Sequence, residues 1–380
     1  MALVTLKPAQ VATLMNDAVK NTLGDNATIL TEDLSNVADV GTPIANANAY
    51  KNFLENLLVA TAKYIFSFRP YTAKAPNVLR DNYEYGQIIQ KIRTKLPQSF
   101  DNQSWDIQAY SSYDDNQYIP NDVEVKLFMK QITFECRKSV TDEQIKNAFT
   151  NSTELGNFVS QQFGYVQNKL QLDLENLTYM LINTAIAEKV YQVKQIKLLT
   201  LYKAEVPNAD ATLTSDTCLF DKGFLIYASA KIKDFMRLMQ RYSVAYNDEG
   251  FENFTPEDLQ HVVLYSQLVD NMAMYAESST FHDEFIKLPK AFEYEFLQGL
   301  GTGSIADRTK VDITTPAGHA VSQSYCVGII FDHDAIAINH DQPSVETHRI
   351  KSAQFNNYWY KEKLGTAIDF SENILVFTLE

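Results

Sequence analysis

Apolar residues between Thr153 and Tyr191 recur in steps of three and four: Leu155, Val159, Phe163, Val166, Leu170, Leu174, Leu177, Leu181 and Ala185. A stripe of that kind lies on one face of a single helix. No proline falls between Pro120 and Pro207 to interrupt it. At 1.5 Å per residue, about 36 residues extend roughly 54 Å, far beyond the usual three to four turns. Asn151 and Ser152 stand where an N-cap belongs, and Gly156 and Gly164 weaken the first turns slightly. A coiled coil is the alternative, but the stripe keeps closer to 3.6 than to a strict heptad, and few charged pairs flank it. The pattern predicts one long helix serving as a backbone.

Upstream, residues 8 to 23 predict a short amphipathic helix, with Pro8 in its first turn, Val11, Leu14, Ala18 and Val19 on one side, and Gly24 as the stop. A small-residue stretch without periodicity follows and predicts an extended arm. Tyr50, Phe53, Leu54, Leu57, Leu58 and Thr61 mark a second helix, which runs into a strand at IFSFRPY. Residues 77 to 120 are the most polar part and are rich in turn signals. QIIQKIRTK inside that region is a candidate strand. Beyond it DVEVKLFMK alternates, with Val123, Val125, Leu127 and Met129 on one side and Glu124, Lys126 and Lys130 on the other. Continued to Arg137, it makes a run of about 15 residues, roughly 50 Å long. Together the two runs predict a two-stranded arm. An isolated hairpin is marginal in water, so this one needs another chain or domain to lie on. An ordinary surface meander is the plainer alternative.

Thr141 to Gln144 reads as a capping box leading toward the long helix. After Pro207, short helices and strands alternate. KGFLIYASAKIKDFMRLMQRYSVA is helical, FTPEDL starts a helix capped by Thr255, HVVLYS is a strand, and a helix follows through Leu268, Met272 and Tyr275. KVDITTP is a strand, and YCVGIIFDHDAIAINHD is one folded on itself at Asp332 to Asp334. QFNNYWYKEK and LGTAIDFSENILVFTLE end the chain as strands turned at Ser371 to Asn373.

Composition narrows the classes. Charged residues are 21% and hydrophobic ones 45% of 380 residues, the profile of an ordered chain with a real core. Phe (22) and Tyr (21) are abundant, and tyrosine suits half-buried interfaces. A net charge of -14 without any basic run argues against a dedicated nucleic-acid binder. Cys136, Cys218 and Cys326 lie far apart and read as reduced thiols. The opening MALVTLKPAQ lacks signal-peptide character, and LLVATAKYIF is too short to span a bilayer. These features predict a chain made and folded in a cytoplasm, with no membrane partner.

Candidate chemistry is sparse. Asp332, His333 and Asp334, with His319, His340 and His348 nearby in sequence, form the one grouping that resembles a metal site. Adjacent strand residues point to opposite faces, so a turn closed by aspartate side chains bonding to backbone is the better reading. GLGTGS does not match a phosphate loop. His282, Asp283 and Glu284 read as a solvated helix face. No nucleophile, zinc-protease or paired Cys/His motif occurs. The expectation is no catalytic residue, no metal and no cofactor.

The C-terminal run joins an apolar strand, the turn FDHD, AIAI, a spacer and FNNYWYKEKLGTAIDFSENILVF. It resembles the end of tailed-bacteriophage major capsid proteins, closest in pattern to those of short-tailed, picovirus-like podoviruses. The N-terminal LSNVADVGTPIANANAYKNFLENLLVATAKYIF looks like the same group, and the order of elements agrees along most of the chain. The resemblance implies an α+β chain with the Hong Kong 97-type capsid fold. It divides the chain into 1–67 (N-terminal arm and first helix), 68–137 (extended hairpin loop on a neighbouring subunit), 138–200 (peripheral domain with the spine helix), 201–345 (axial domain) and 346–380 (return strands). It implies self-assembly into pentamers and hexamers of an icosahedral or prolate head, a portal protein, and enclosed double-stranded DNA held without sequence-specific binding.

Too few residues precede the first core helix for a fused scaffold, so a separate scaffolding protein, or none, is expected. Lys91 and Lys95 lie in the hairpin, but nothing identifies a partner for a covalent Lys–Asn cross-link, and none is expected. The rival readings are a nanocompartment shell of the same fold and a metal-dependent enzyme using Asp332, His333 and Asp334.

Overall fold

A computed structural model describes residues 8–24, 78–80, 89–97, 123–141, 152–279, 291–298, 303–340 and 344–380, with short pieces between 27 and 56 and at 99 and 109. The second helix, the strand at IFSFRPY, the capping box after Thr141 and the group at His282 to Glu284 lie outside the described residues, as does most of the small-residue stretch after Gly24.

The first helix, α1, is Pro8–Leu23, and Gly24 ends it at φ +93 with its N–H on the Lys20 carbonyl at 2.8 Å. Ala12, Met15, Ala18 and Val19 are buried along it. The predicted backbone helix, α2, is Ser152–Tyr191, 40 residues or about 60 Å. Leu170, Leu174, Leu177, Leu181 and Ala185 are buried on the expected stripe. From Leu181 to Lys189 every residue is buried, so this end of the helix is enclosed all round. Lys189 is tolerated there because its ammonium reaches Asp248 at 2.6 Å, with Lys194 on the same oxygen at 2.9 Å. Burial pushes the Lys189 ammonium below its ordinary pKa, and Asp248 opposes that shift.

Two five-stranded sheets organise the rest. The first contains β1 (Leu79–Arg80), β4 (Gln131–Thr141), β11 (Ile336–His340), β12 (Ser344–Ile350) and β13 (Phe355–Ile368). Its strands run in the order β1-β11-β13-β12, and β4 pairs with β13 along 11 positions. The second runs β5-β14-β10-β6-β7, where β5 is Ile196–Lys197, β6 Gln260–Tyr265, β7 Phe292–Tyr294, β10 Cys326–Asp332 and β14 Ile374–Thr378. Every residue of β10 and β14 is buried. At Gly328 in β10 an added Cβ would stand 2.5 Å from Leu264 and 3.3 Å from the Val263 carbonyl, so the close approach of β6 requires glycine. Around this sheet pack α3 (Leu198–Glu205), α4 (Lys222–Met239) and α5 (Ser266–Ser279). A short α6 (Ile305–Arg308) precedes the β8 (Val311–Thr314) and β9 (Ala320–Gln323) hairpin.

Four local expectations are corrected. The run from 326 to 340 does not fold on itself: β10 and β11 belong to different sheets, and Asp332 to Ala335 carries the chain between them. The residues from 355 to 368 form one strand, and the turn after it crosses from the first sheet to the second instead of closing a hairpin. The two crossings are stapled, with Asp332 N–H on the Asn373 carbonyl (3.0 Å) and Asp369 N–H on the Ala335 carbonyl (2.7 Å). Thr255 does not cap a helix. Glu257–Leu259 is a single 3₁₀ turn, and the Thr255 hydroxyl donates to Asp332 at 2.7 Å instead. The extended run also breaks at Met129 and Lys130: β3 (Val123–Phe128) belongs to the arm and β4 to the first sheet.

Candidate assembly interface

The arm is the antiparallel pair of β2 (Ile89–Thr94) and β3, in the register Lys91↔Lys126, Ile92↔Val125 and Arg93↔Glu124. Period-two alternation puts Lys91, Arg93, Glu124 and Lys126 on one face, and Ile92, Val123, Val125 and Leu127 on the other. In most sheets the apolar face is the buried one. Here it is outward: Ile92 is 63%, Val123 52%, Val125 51%, Leu127 54% and Met129 66% exposed. The charged face is the half-buried one. Alternation was legible in the sequence, but which face looks outward was not.

The charged face rests on the crossing between β13 and β14. Lys91 reaches Asp369 at 2.7 Å and also pairs with Glu372, while Lys126 reaches Asp369 at 3.0 Å and pairs with Glu249. Arg93 pairs with Glu372 and donates to the Ser371 carbonyl at 3.1 Å. Asn253 donates to Glu372 from the other side. Arg93 and Lys95 lie 5.8 and 5.6 Å from the Phe251 ring centre. Burial alone would raise the Asp369 carboxyl, but the Lys91 and Ser371 hydrogen bonds and the Lys91 charge overturn that and hold it well below the carboxylate range. Burial lowers Lys91. It pulls Lys126 the same way, but bonds to Glu249 and Asp369 outweigh it and raise Lys126.

At the base of the arm the apolar face continues into a groove of about 340 Å³. Leu127 and Met129 line it from the arm, Met180 and Leu181 from α2, Pro316 and Ala317 from the β8–β9 turn, and Ile368 and Phe370 from the end of β13. That turn is clamped to the end of α2, where His319 meets Glu188 at 3.1 Å and stacks on Tyr191 at 3.7 Å.

The residues of the metal candidate are dispersed. Asp332 accepts from the Asp334 N–H at 2.8 Å and from Thr255, so its carboxylate closes the turn through backbone as expected. His333 pairs with His261 on β6 at 2.9 Å, His319 is on Glu188, His340 ends β11, and His348 lies on β12 opposite Asn357. Among the described residues no group of three His, Cys, Asp or Glu side chains gathers where it could hold a metal ion. The described end of the glycine-rich loop is a reciprocal cap, Ser304 with Asp307, on α6. Sequence reasoning missed the carboxylates of the crossing. Asp369 and Glu372 flank a turn between apolar strands, a position that reads as ordinary turn chemistry until the arm is laid against it.

An apolar face held outward on the arm beside an apolar groove marks a surface that another macromolecule covers. It fits the class of proteins that assemble with other subunits. The chain belongs to the Phi29-like phage major capsid protein family, whose profile matches residues 15–378. Membership establishes a structural role in the phage capsid, assembly into a multi-subunit shell and a place in the virion. The Hong Kong 97-type reading rests on that membership and on the arm, long helix and two sheets described above.

Among solved structures, the chain is similar to one from Staphylococcus phage Andhra (TM-score 0.44, 10% identity, covering 82% of this chain and 88% of that one). Others come from bacteriophage P68 (0.47, 10%, 81% and 83%) and Cyanophage P-SCSP1u (0.43, 10%, 79% and 85%). No curated protein matches the sequence. Among the described residues no helix is long and apolar enough to cross a membrane.

Proposed function

We propose that the chain assembles, in the cytoplasm of its bacterial host, into pentamers and hexamers of an icosahedral or prolate head that encloses double-stranded DNA without reading its sequence. One observation carries the reading: the arm turns its apolar face outward, where a neighbouring copy would cover it. Heterologous contacts of this kind close into rings, and several modest contacts per subunit hold a shell together. The division of the chain follows the resemblance, with arm and first helix to 67, peripheral domain to 200, axial domain to 345 and return strands to 380. The hairpin loop, however, ends near 130 instead of 137, because β4 belongs to the first sheet, and the last return strand, β14, pairs with β10 of the second. A separate scaffolding protein and a portal protein complete the assembly, and the chain itself performs no catalysis. Phage family membership favours this reading over a nanocompartment shell.

Negative-stain electron microscopy of concentrated protein, alone and co-expressed with the neighbouring phage genes, tests it. Rings, tubes or shells are expected, and a monomer under both conditions would sink it. Mature particles boiled in SDS should run as a single monomer band, since Lys91 is engaged with carboxylates and no covalent partner is assigned. A ladder would overturn that part.

A further inference from the structure

Lys91 and Lys126 are direct cross-strand partners in the arm. Like charges placed opposite one another destabilise a hairpin, and a two-stranded hairpin has little stability to lose. What reconciles them is outside the arm: the two oxygens of Asp369 accept one lysine each, at 2.7 and 3.0 Å. The Asp369 side chain is only 3% exposed, and Ser371 binds it from below through its N–H (3.0 Å) and hydroxyl (2.6 Å). Glu372, 5% exposed, is shared by Lys91, Arg93 and Asn253. The carboxylates are buried, and while a buried ion pair adds little net stability, any misplacement that leaves one of its charges unpaired is strongly destabilising. A slip of one residue in a strand exchanges its two faces, which here would press Ile92 or Val125 against the carboxylates.

We propose that Asp369 and Glu372 are the positioning residues of the assembly surface: by pairing with Lys91, Arg93 and Lys126 they set the arm's register and turn its apolar face outward. They do so without touching the apolar face themselves. Because both lie on the crossing from β13 to β14, the arm's orientation is tied to the junction of the two sheets. The particle readout below rests on the assembly reading, and the exchange readout does not.

Hydrogen exchange on the full chain tests the proposal, comparing amides of 89–94 and 123–128 with those of 174–187. In Asp369→Asn/Glu372→Gln, exchange in both arm strands should rise at least about tenfold while the α2 amides stay unchanged. The charge-keeping Asp369→Glu/Glu372→Asp should hold exchange closer to the parent than the neutral pair does, which a generic loss of packing would not do. Should the body-side variant fail to fold, Lys91→Met/Lys126→Met makes the same test from the arm. Particle yield on co-expression should fall in the neutral variant and recover in the charge-keeping one. Unchanged arm exchange in both the body-side and arm-side variants would overturn the proposal, as would full particle yield from an arm shown to be loosened. If no form yields particles, parent included, the assembly reading fails, and the exchange result still decides whether these residues position the arm.

Discussion

The second sheet and the arm bury opposite kinds of residue. In β10 and β14 every side chain is enclosed, from Val327 and Phe331 to Val376 and Phe377. In the arm the described apolar residues of the outward face are at least half exposed, and the lysines and arginine lie against the body. The sheet is finished within one chain, because α2 to α5 pack around it. The arm is finished only when something else covers it. A strand's hydrophobicity therefore reports that a surface will be buried, and says nothing about which molecule buries it.

The contrast is broken most decisively by charging the arm. Val123→Asp/Val125→Asp, which touches the exposed face but not the groove, should abolish particle formation in electron microscopy yet leave the subunit's urea-unfolding free energy within about 1 kcal/mol, the usual range for two exposed sites. A large loss of subunit stability would show that the face is packed within the chain. Phe331→Ala in β10 should do the reverse, destabilising the subunit by about 3–5 kcal/mol through transfer and cavity terms, with urea unfolding as the readout. Asp248→Asn should cost about 3 kcal/mol, because Lys189 is left buried with a neutral partner. Lys189→Met should cost less, since Asp248 keeps Lys194.

Acid sharpens the comparison by loosening the arm first. The native pKa of Asp369 is depressed, so its stabilising contribution is complete above the unfolded value of about 4 and fades as pH falls below it. Lys91 and Lys126 face it from the arm; Glu372 and Glu249 share those lysines, Arg93 pairs with Glu372, and the Asp334 charge acts on Lys91 from the body. Pepsin cleavage within 89–128 should accelerate between about pH 4 and pH 2 before cleavage within α2 does. Simultaneous cleavage of both would separate the arm's attachment from this carboxylate.

The long helix, the alternation of the arm, the buried strands after Pro207 and the aspartate turn at Asp332 were legible from spacing, because local periodicity carries them. The junctions were not. That β10 and β11, and again β13 and β14, part into different sheets depends on partners far away along the chain, and a turn between apolar strands looks alike whether it closes a hairpin or crosses between layers. Thr255 read as a cap for the same reason: its hydroxyl found Asp332, a partner that appears only in the folded chain.

For the candidate site, the sequence alone determined that an amphipathic two-stranded arm exists and that its residues alternate. Tertiary structure alone decided which face is inward. That choice turns on two carboxylates 278 and 281 positions downstream of Lys91, and a face's burial is set by what folding brings against it: opposite charge drew the lysines in and left the hydrophobic side facing out.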